Sequence, residues 1–307
     1  GTFSLLQDGG IGAGQALVAD PRIQAVGFTG SRRAGEALVA IAQARPQPIP
    51  VYAEMSAINP VVLLPAALEE RAEQIAAGFI TSLTMGAGQF CTNPGLVLAI
   101  AGPALDRFCA AAVNALAGCD PAIMLTPGIL GAYQAAANSM AAHRAVSTVA
   151  SAAAAPGRAE ARLNSVSADA FLADPALHAE VFGPASLVVV CRDAAQLAQV
   201  LGAVEGQLTI ALHFAQADHA LAGQLLPIAR RKAGRVLANG FGTGVEVSPA
   251  MVHGGPWPAT SDTRSTSVGT KAIERFLRPV CLQDFPQDLL PPAVQDANPW
   301  GLPRRLW

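Results

Sequence analysis

The sequence predicts an α/β protein with a largely parallel sheet. Short apolar runs recur along the chain, and Ala-rich stretches of helical length separate them, which is the pattern of this fold class. Residues 96–100 and 185–191 are almost continuously apolar, as strands are when helices cover both faces of a sheet. Hydrophobic residues make up 51% of the 307-residue chain, enough to build a sizeable core.

The predicted strands and helices alternate along the chain. We expect strands at residues 1–7, 25–28, 50–53, 61–64, 96–100, 185–191, 207–214 and 235–238. We expect helices at residues 12–19, 31 to about 45, 67–84, 104–117, 194–205 and 218–231. Residues 131–170 are predicted to form a helix followed by surface segments, and residues 241–267 a long loop rich in Gly, Pro, Thr and Ser.

Local signals place the boundaries of the first elements. A Gly-rich turn precedes the helix at residues 12–19, and Ser31 is a suitable N-cap for the next helix. Pro46, Pro48 and Pro50 end that helix, because proline lacks the backbone N–H and disfavours helical geometry in the residue before it. A change in composition near residues 54–60 suggests a domain boundary there.

The charge balance excludes several classes of partner. The chain carries 20 Lys and Arg against 22 Asp and Glu, a formal net charge of −2. That balance leaves no basic face for nucleic acid and no polybasic anchor for anionic lipid. We therefore expect no nucleic-acid partner. No uninterrupted apolar stretch reaches the roughly 18–20 residues of a membrane helix, so we also expect no membrane association.

The cysteines and histidines carry no familiar site motif. Five cysteines without CxxC pairing, in a chain too large to need disulfides, favour a reducing compartment, that is the cytoplasm. The five histidines are scattered and no HExxH motif occurs, so the sequence predicts no metal site. No GxSxG motif points to a hydrolase of that type.

Two glycine-containing turns could bind a phosphate or a cofactor. Gly10 and Gly14 lie in a Gly-rich turn before a helix, where backbone N–H groups can approach an anion. Gly30 and Ser31 lie between a strand and a helix N-terminus, and Gly30 permits close approach of the backbone. By themselves, the two segments are equally consistent with a flexible turn and a capped helix start.

Two further residues could carry acid–base and nucleophilic chemistry. Glu54 is a single acidic residue in an apolar stretch, where burial would raise its pKa and allow it to act as a base, although pairing with an arginine is the simpler interpretation. Cys91 follows a helix and a glycine turn, and a cysteine presented on such a loop can be an activated thiolate. Most cysteines are inert core residues, and Cys109, Cys119 and Cys191 keep that interpretation, as does Cys281.

The order and spacing of these segments carry more information than any one of them. FTGS at 28–31, E-M-x-x-x-N-P at 54–60, GQFCT at 88–92 and ExFGP at 180–184 resemble the aldehyde dehydrogenase superfamily in their order. The 37 positions between Glu54 and Cys91 fit that superfamily's base and nucleophile. The EMSAINP and MVHGGPWPATSD segments are similar to the branch holding α-ketoglutarate-semialdehyde dehydrogenases and bacterial fatty-aldehyde dehydrogenases.

The resemblance implies a role for each matching residue. Cys91 would attack the aldehyde to give a thiohemiacetal and then a thioester, and Glu54 would activate the hydrolytic water. His253 would assist at the active site, as a histidine does in the fatty-aldehyde branch. The cofactor, NAD or NADP, would contact the residues Gly10, Gly14, Gly30, Ser31, Met55, Glu180 and Phe182. One departure is Ser56, which stands where the family usually has glycine.

The resemblance also implies an architecture: the end of a Rossmann-type cofactor domain followed by an α/β catalytic domain. Residues 1–56 would close the dinucleotide-binding domain, residues 57–285 would form the catalytic domain and residues 286–307 a Pro-rich tail. The substrate would be α-ketoglutarate semialdehyde, or alternatively a medium- or long-chain aldehyde, and the protein a homodimer or homotetramer. Because family members have further residues before the point matching Gly1, a non-catalytic fragment is a third alternative.

Overall fold

The computed structural model describes residues 2–305. It contains two compact units, one extending to Arg275 and one beginning at Phe276. The first unit holds every helix and strand named below. In the second, the described residues 277–305 form only short 3₁₀ turns, at Gln287–Leu289 and Pro292–Val294, as expected for a Pro-rich segment.

The helices and strands alternate through most of the first unit. In chain order they are α1 (Gly12–Ala19), β1 (Val26–Thr29), α2 (Arg32–Gln43), β2 (Val51–Glu54), β3 (Pro60–Leu63), α3 (Pro65–Thr84), β4 (Leu96–Ile100), α4 (Pro103–Ala117), α5 (Pro127–Ala141), β5 (Ser147–Ser151), β6 (Arg162–Ser167), α6 (Ala168–Ala173), β7 (Ala185–Cys191), α7 (Ala194–Ala203), β8 (Gln207–His213), α8 (His219–Lys232) and β9 (Ala233–Ala238). The alternation confirms the predicted α/β class.

The larger sheet has seven strands in the order β5-β6-β7-β4-β3-β8-β9. All neighbouring pairs are parallel except β5 and β6. Successive side chains of β3 point to opposite faces: Val62 packs in the cluster beside α6, α7 and α8, whereas Val61 and Leu63 pack in the cluster beside α3 and α4. Helices therefore cover both faces, which explains the continuous apolar runs of the central strands.

A second, two-stranded sheet lies earlier in the chain. Strands β1 and β2 pair in parallel, with Thr29 opposite Glu54. Their buried side chains form a separate small core with those of α1 and α2, consisting of Val18, Ala42, Ile49, Val51, Ala53 and Met55. This sheet ends at Glu54, so it delivers that carboxylate to the junction with the larger sheet, whose first strand begins at Pro60.

Two parts of the chain differ from the sequence prediction. The predicted strand at residues 1–7 is wrong for residues 2–7, which form no strand, while residue 1 lies outside the described range. Residues 131–170 contain two strands, β5 and β6, where surface segments were expected. Both strands are rich in Ser and other polar residues, and β5 is an exposed edge strand, so neither has a long apolar run.

The long loop predicted after the last strand is present. Residues 241–267 contain neither a helix nor a strand, and a single bridge joins Thr260 to Glu54 of β2. Through that bridge the loop returns from β9 to the end of the small sheet. Among the described residues, no helix combines the length and the apolar character needed to cross a bilayer.

Candidate active site

The loop that carries Cys91 is folded tightly by its glycines. Gly86, Ala87 and Gly88 have φ values of 56°, 59° and 67°, so three consecutive residues lie in the left-handed region. A Cβ at Gly88 would stand 2.3 Å from the carbonyl carbon of Gly183. The loop therefore rests directly on the backbone of the segment 180–184, and this position accepts only glycine.

Asn59 fixes the backbone around Cys91. Its Nδ2 donates to the carbonyl oxygens of Cys91 at 2.9 Å and Asn93 at 3.0 Å, and its Oδ1 accepts from the Thr209 hydroxyl of β8 at 3.1 Å. The Asn93 side chain in turn donates to the Gly183 carbonyl at 2.9 Å. These buried hydrogen bonds hold the Cys91 backbone in one position relative to the larger sheet.

Glu54, Cys91 and His253 meet at one point, although the sequence separates them widely. The Cys91 Sγ lies 3.2 Å from His253 Nε2, and the same nitrogen lies 3.1 Å from Glu54 Oε1. Glu54 and His253 are each 3% exposed, whereas Cys91 is partly exposed. The result is a continuous hydrogen-bonded row in which Cys91 is the partly exposed residue.

Residues of the long loop position His253 and Glu54. The backbone N–H of His253 donates to the Thr266 hydroxyl at 2.8 Å, and Ser267 N donates to the His253 carbonyl at 2.8 Å. The Ser267 hydroxyl donates to Glu54 Oε2 at 2.5 Å. The sequence prediction did not include Ser267 or Asn59 among the site residues. Asn59 lies inside the EMSAINP motif, but no spacing distinguishes Ser267 from the other polar residues around it.

The ionisation of this row differs from the sequence prediction. Burial alone would raise the pKa of Glu54, but hydrogen bonds from His253 and Ser267 and the charge of His253 outweigh it, so the pKa is lowered. The raised pKa that burial alone would give is therefore not found, and Glu54 pairs with His253 and not with the arginine that the sequence favoured. Burial would lower the pKa of His253, but the hydrogen bonds and charges of Cys91 and Glu54 raise it to about 9. Both shifts favour the charged forms of the pair, a Glu54 carboxylate and a His253 imidazolium.

The turn at Gly30 and Ser31 adjoins Glu54. Gly30 N donates to the Glu54 carbonyl at 3.1 Å, and the Ser31 hydroxyl caps α2 by accepting from Ala34 N at 3.3 Å. The cap confirms the N-cap prediction. Met55 is buried, its sulfur lies beside Gly35 of α2, and its N–H donates to the Ala259 carbonyl. Of Gly30, Ser31 and Met55, Gly30 has the backbone N–H that contacts Glu54, whereas the Met55 N–H is bonded away from the site.

Glu180 and Phe182 lie in the segment that supports the cysteine loop. The carboxyl group of Glu180 is hydrogen-bonded to the Ser56 side chain and to the backbone of Ala57, and burial raises its pKa to about 6 despite both bonds. Phe182 is 39% exposed. The Ser56 hydroxyl also accepts a hydrogen bond from the Arg32 N–H, so it joins the Glu180 carboxyl group to the start of α2. A carboxyl group suits the ribose of a nucleotide, and the exposed Phe182 ring suits its flat ring.

Gly10 and Gly14 have a different environment from the other candidates. Both are exposed, and the Asp8 carboxylate accepts from Gly10 N at 3.0 Å and Ala13 N at 2.9 Å. Asp8 thus occupies the donors that a phosphate would use at the start of α1. The hydrogen bonds of this turn run to Asp8 and not to Cys91, so the cofactor role of Gly10 and Gly14 stays a prediction.

The remaining cysteines have environments distinct from that of Cys91. Burial raises the pKa of Cys191 to about 12 and also raises that of Cys109, which makes both thiols poor nucleophiles. Cys119 is half-buried after α4, and Cys281 is exposed in the second unit, so Cys281 is not the core residue that was expected. In the described part of the chain, Cys91 is the cysteine with a histidine and a carboxylate beside it.

Two curated relatives from bacteria are similar to nearly the whole chain. An alpha-ketoglutaric semialdehyde dehydrogenase 2 of Azospirillum brasilense is 59% identical over 306 residues, covering 99% of this chain and 58% of its own length. An alpha-ketoglutaric semialdehyde dehydrogenase of Acinetobacter baylyi is 47% identical over 312 residues, again covering 99% of this chain and 58% of its own length. The chain therefore spans somewhat more than half the length of these relatives.

Structural similarity extends to solved enzymes with little sequence identity. Proline utilization A from Bdellovibrio bacteriovorus superposes with a TM-score of 0.74 at 18% identity, covering 88% of this chain and 28% of that one. This likeness concerns the fold alone. The sequence pattern that defines the aldehyde dehydrogenase family matches residues 1–276, which include the cysteine loop, the carboxylate and the histidine. The chain belongs to the aldehyde dehydrogenase family.

Proposed function

We propose that this chain provides the catalytic centre for NAD(P)-dependent oxidation of an aldehyde to a carboxylate, with Cys91 as the nucleophile. The observation that carries the proposal is the row of Cys91, His253 and Glu54, joined at 3.2 and 3.1 Å. An imidazolium in contact with a sulfur stabilises the thiolate, which is the nucleophilic form of cysteine. The Glu54 carboxylate stabilises that imidazolium at the same nitrogen, Nε2.

In the proposed mechanism, each residue of the row acts at a defined atom. The Cys91 thiolate attacks the aldehyde carbon and forms a thiohemiacetal, and in this proposal the Cys91 backbone N–H and the His253 imidazolium stabilise the oxyanion. Bound NAD or NADP supplies the hydride acceptor. After oxidation to the thioester, the Glu54 carboxylate takes the proton of the hydrolytic water. Hydrolysis returns the free thiolate.

The residues around the cysteine fit a nicotinamide nucleotide. Gly30 and Ser31 present backbone at the start of α2, which suits the pyrophosphate, and Glu180 and Phe182 suit the ribose and the ring. We include Met55 for its position next to Glu54, and Gly10 and Gly14 for the preceding turn. Arg32 pairs with Glu36 at 2.8 Å and Glu205 at 3.0 Å, which disfavours it as a phosphate ligand. The proposal covers both NAD and NADP.

Replacing the nucleophile tests the proposed reaction. We expect Cys91→Ala to lower the rate of aldehyde oxidation by at least 10³-fold, because the thiohemiacetal cannot form. Cys109→Ser is the matched control, since Cys109 is a half-buried thiol in α4 whose raised pKa makes it inert, and its rate should stay near wild type. Full activity of Cys91→Ala would contradict the proposal.

For the substrate we propose α-ketoglutarate semialdehyde or a similar small oxo-acid aldehyde. The two curated relatives support this choice, and so does Arg235 on β9. Arg235 lies opposite Thr209, the residue whose hydroxyl joins the Asn59 clamp on Cys91. Its Nη atoms donate to the carbonyls of Gly242 and Gly244, its Nε is buried without a partner, and no ion pair involves it among residues 2–305. An uncompensated cation near the nucleophile suits a substrate carboxylate.

A KM comparison tests this assignment. We expect Arg235→Met to raise KM for α-ketoglutarate semialdehyde about 10- to 100-fold, because the substrate carboxylate loses its charged hydrogen-bond partner. KM for propanal, which has no carboxylate, should change little. Arg231→Met, at an exposed position of α8, should leave both substrates unaffected. Equal losses with both aldehydes would give Arg235 a structural role only, and a wild-type preference for long-chain aldehydes would favour the alternative substrate class.

A further inference from the structure

The row of Glu54, Cys91 and His253 also has the composition of a metal site. Each residue offers one ligand atom, and these three atoms lie within 4.8 Å of one another. The sequence contains no metal motif here because 37 positions separate Glu54 from Cys91 and 162 separate Cys91 from His253. The fold, rather than the spacing, brings the three donors together.

The donor set matches the preferences of Zn²⁺. Thiolate, imidazole and carboxylate are its usual ligands, with bond lengths of about 2.3, 2.0–2.1 and 2.0–2.2 Å. In a tetrahedral site, such bonds place neighbouring ligand atoms about 3.4–3.6 Å apart. The separations of 3.2 Å between Cys91 Sγ and His253 Nε2 and 3.1 Å between that nitrogen and Glu54 Oε1 are within a few tenths of an ångström of these values. The third pair, Cys91 Sγ and the Glu54 carboxylate, lies within 4.8 Å, so a side-chain movement of about 1 Å at most completes the site.

The surroundings of the three residues are compatible with an ion. Two anionic ligands, the Cys91 thiolate and the Glu54 carboxylate, neutralise a divalent cation. The Ser267 hydroxyl orients Glu54 through the oxygen that does not face His253, as outer hydrogen bonds orient ligands in metal sites. Cys91 is partly exposed, which gives an ion access and leaves a fourth position for water.

The proton balance of binding is simple. His253 Nδ1 is buried without a partner, and it carries a proton both in the imidazolium and when Nε2 binds a metal, so its environment does not change. Protons held at His253 Nε2 and at Cys91 Sγ are released to solvent as the bonds to the metal form. The thiolate and the carboxylate then leave the metal site with no net charge.

We propose that Glu54, Cys91 and His253 form a reversible inhibitory site for Zn²⁺. Bound Zn²⁺ occupies the sulfur lone pair that attacks the aldehyde and the nitrogen and oxygen that move its protons. It therefore blocks the reaction until a chelator removes it. The ion is an inhibitor and takes no part in the oxidation.

Cobalt substitution tests the site by spectroscopy, without turnover. Titrating the purified protein with Co²⁺ should produce a sulfur-to-cobalt charge-transfer band and the visible bands of a tetrahedral ion, and Zn²⁺ should abolish both. Cys91→Ala should lose the charge-transfer band, while Cys281→Ser, which removes an exposed thiol, should keep it. Persistence of the band in Cys91→Ala, or its absence from the wild type, would overturn the proposal.

Zinc affinity distinguishes three-ligand binding from coordination by the thiol alone. His253→Asn and Glu54→Gln should each weaken Zn²⁺ binding at least 10-fold by calorimetry, whereas His219→Asn, at an exposed histidine, should not. Undiminished affinity in both site variants would show that neither residue binds the ion, as with coordination by the thiol alone, and would overturn the proposal.

Alkylation of the wild type provides a test that does not depend on any variant folding. Zn²⁺ should slow iodoacetamide labelling of Cys91 at least 10-fold, and a chelator should restore it, while labelling of Cys281 is unchanged. Equal labelling of Cys91 with and without Zn²⁺ would contradict the proposed site.

Discussion

His253 links the Cys91 sulfur to the Glu54 carboxylate. Its Nε2 lies between the Cys91 sulfur and a Glu54 oxygen, and all of its polar environment comes from residues distant in the sequence. The same contacts that raise its pKa lower that of Glu54, so the two ionisations are coupled. Removing His253 therefore leaves a buried carboxylate without its principal counter-charge.

This coupling gives the protein's stability a defined pH dependence. The pKa of His253 rises from 6.5 to about 9 on folding, so its contribution is complete below about pH 6.5 and is lost as the pH rises through about 9. We expect the difference in unfolding free energy between wild type and His253→Asn to shrink across that interval. Denaturant titrations in EDTA at a series of pH values measure it.

The exposed His219 supplies the control for that experiment. His219→Asn, which removes an exposed ring in edge-on contact with Phe214, should differ from wild type by only a small amount. A His253→Asn difference that stays constant or grows from pH 6.5 to about 9 would contradict the raised pKa.

At the residue scale, the sequence identified Cys91, Glu54 and His253 as candidates, and the structure brings them together, but the sequence did not give their ionisation. Their identities followed from motifs and order. The direction of the Glu54 pKa did not, because it depends on Ser267 and His253, which lie about 200 positions away. Ser267 itself was missed for the same reason: no short-range pattern marks a hydroxyl that reaches the site from a long loop.

At the element scale, the cysteine loop depends on one glycine. Gly88 has φ of 67° and packs its α-carbon against the backbone of Gly183 and Pro184. We expect Gly88→Ala to lower activity at least 10²-fold, since the added methyl group meets backbone at 2.3–2.5 Å and must displace the loop that holds Cys91. Steady-state kinetics and thermal unfolding measure the two consequences.

Gly202→Ala is the matched glycine control. Gly202 lies in helix α7, and a Cβ there would meet nothing within 4 Å. The alanine should be neutral or stabilise the protein by about 0.4–1 kcal/mol, because it reduces the entropy of the unfolded chain. If Gly88→Ala behaves like Gly202→Ala, the loop does not depend on the contact with Gly183.

Buried apolar strands were predicted more accurately than polar or exposed ones. Strands β4 and β7 have the predicted bounds, because their apolar runs are continuous. Strands β5 and β6 were missed because pairing with neighbouring strands, and not an apolar pattern, makes these polar segments strands. The predicted strand at residues 2–7 has apolar residues but no partner strand in the described part of the chain.

At the scale of the whole molecule, the catalytic row lies where two sheets and a loop meet. Glu54 ends the small sheet, Cys91 precedes β4 of the larger sheet, and His253 comes from the loop after β9. This arrangement agrees with the proposed division near residue 56 into a cofactor-binding part and a catalytic part. That division and the oligomeric state both stay predictions.

The most direct test of Cys91 as nucleophile and Glu54 as hydrolytic base is to trap the thioester. Glu54→Gln protein, incubated with α-ketoglutarate semialdehyde and NAD or NADP, should form the thioester but release it slowly. Peptide mass spectrometry should then find the acyl group on the peptide containing Cys91, and Cys91→Ala should carry none. Acylation at another residue, or full turnover by Glu54→Gln with no acyl group on Cys91, would contradict the account.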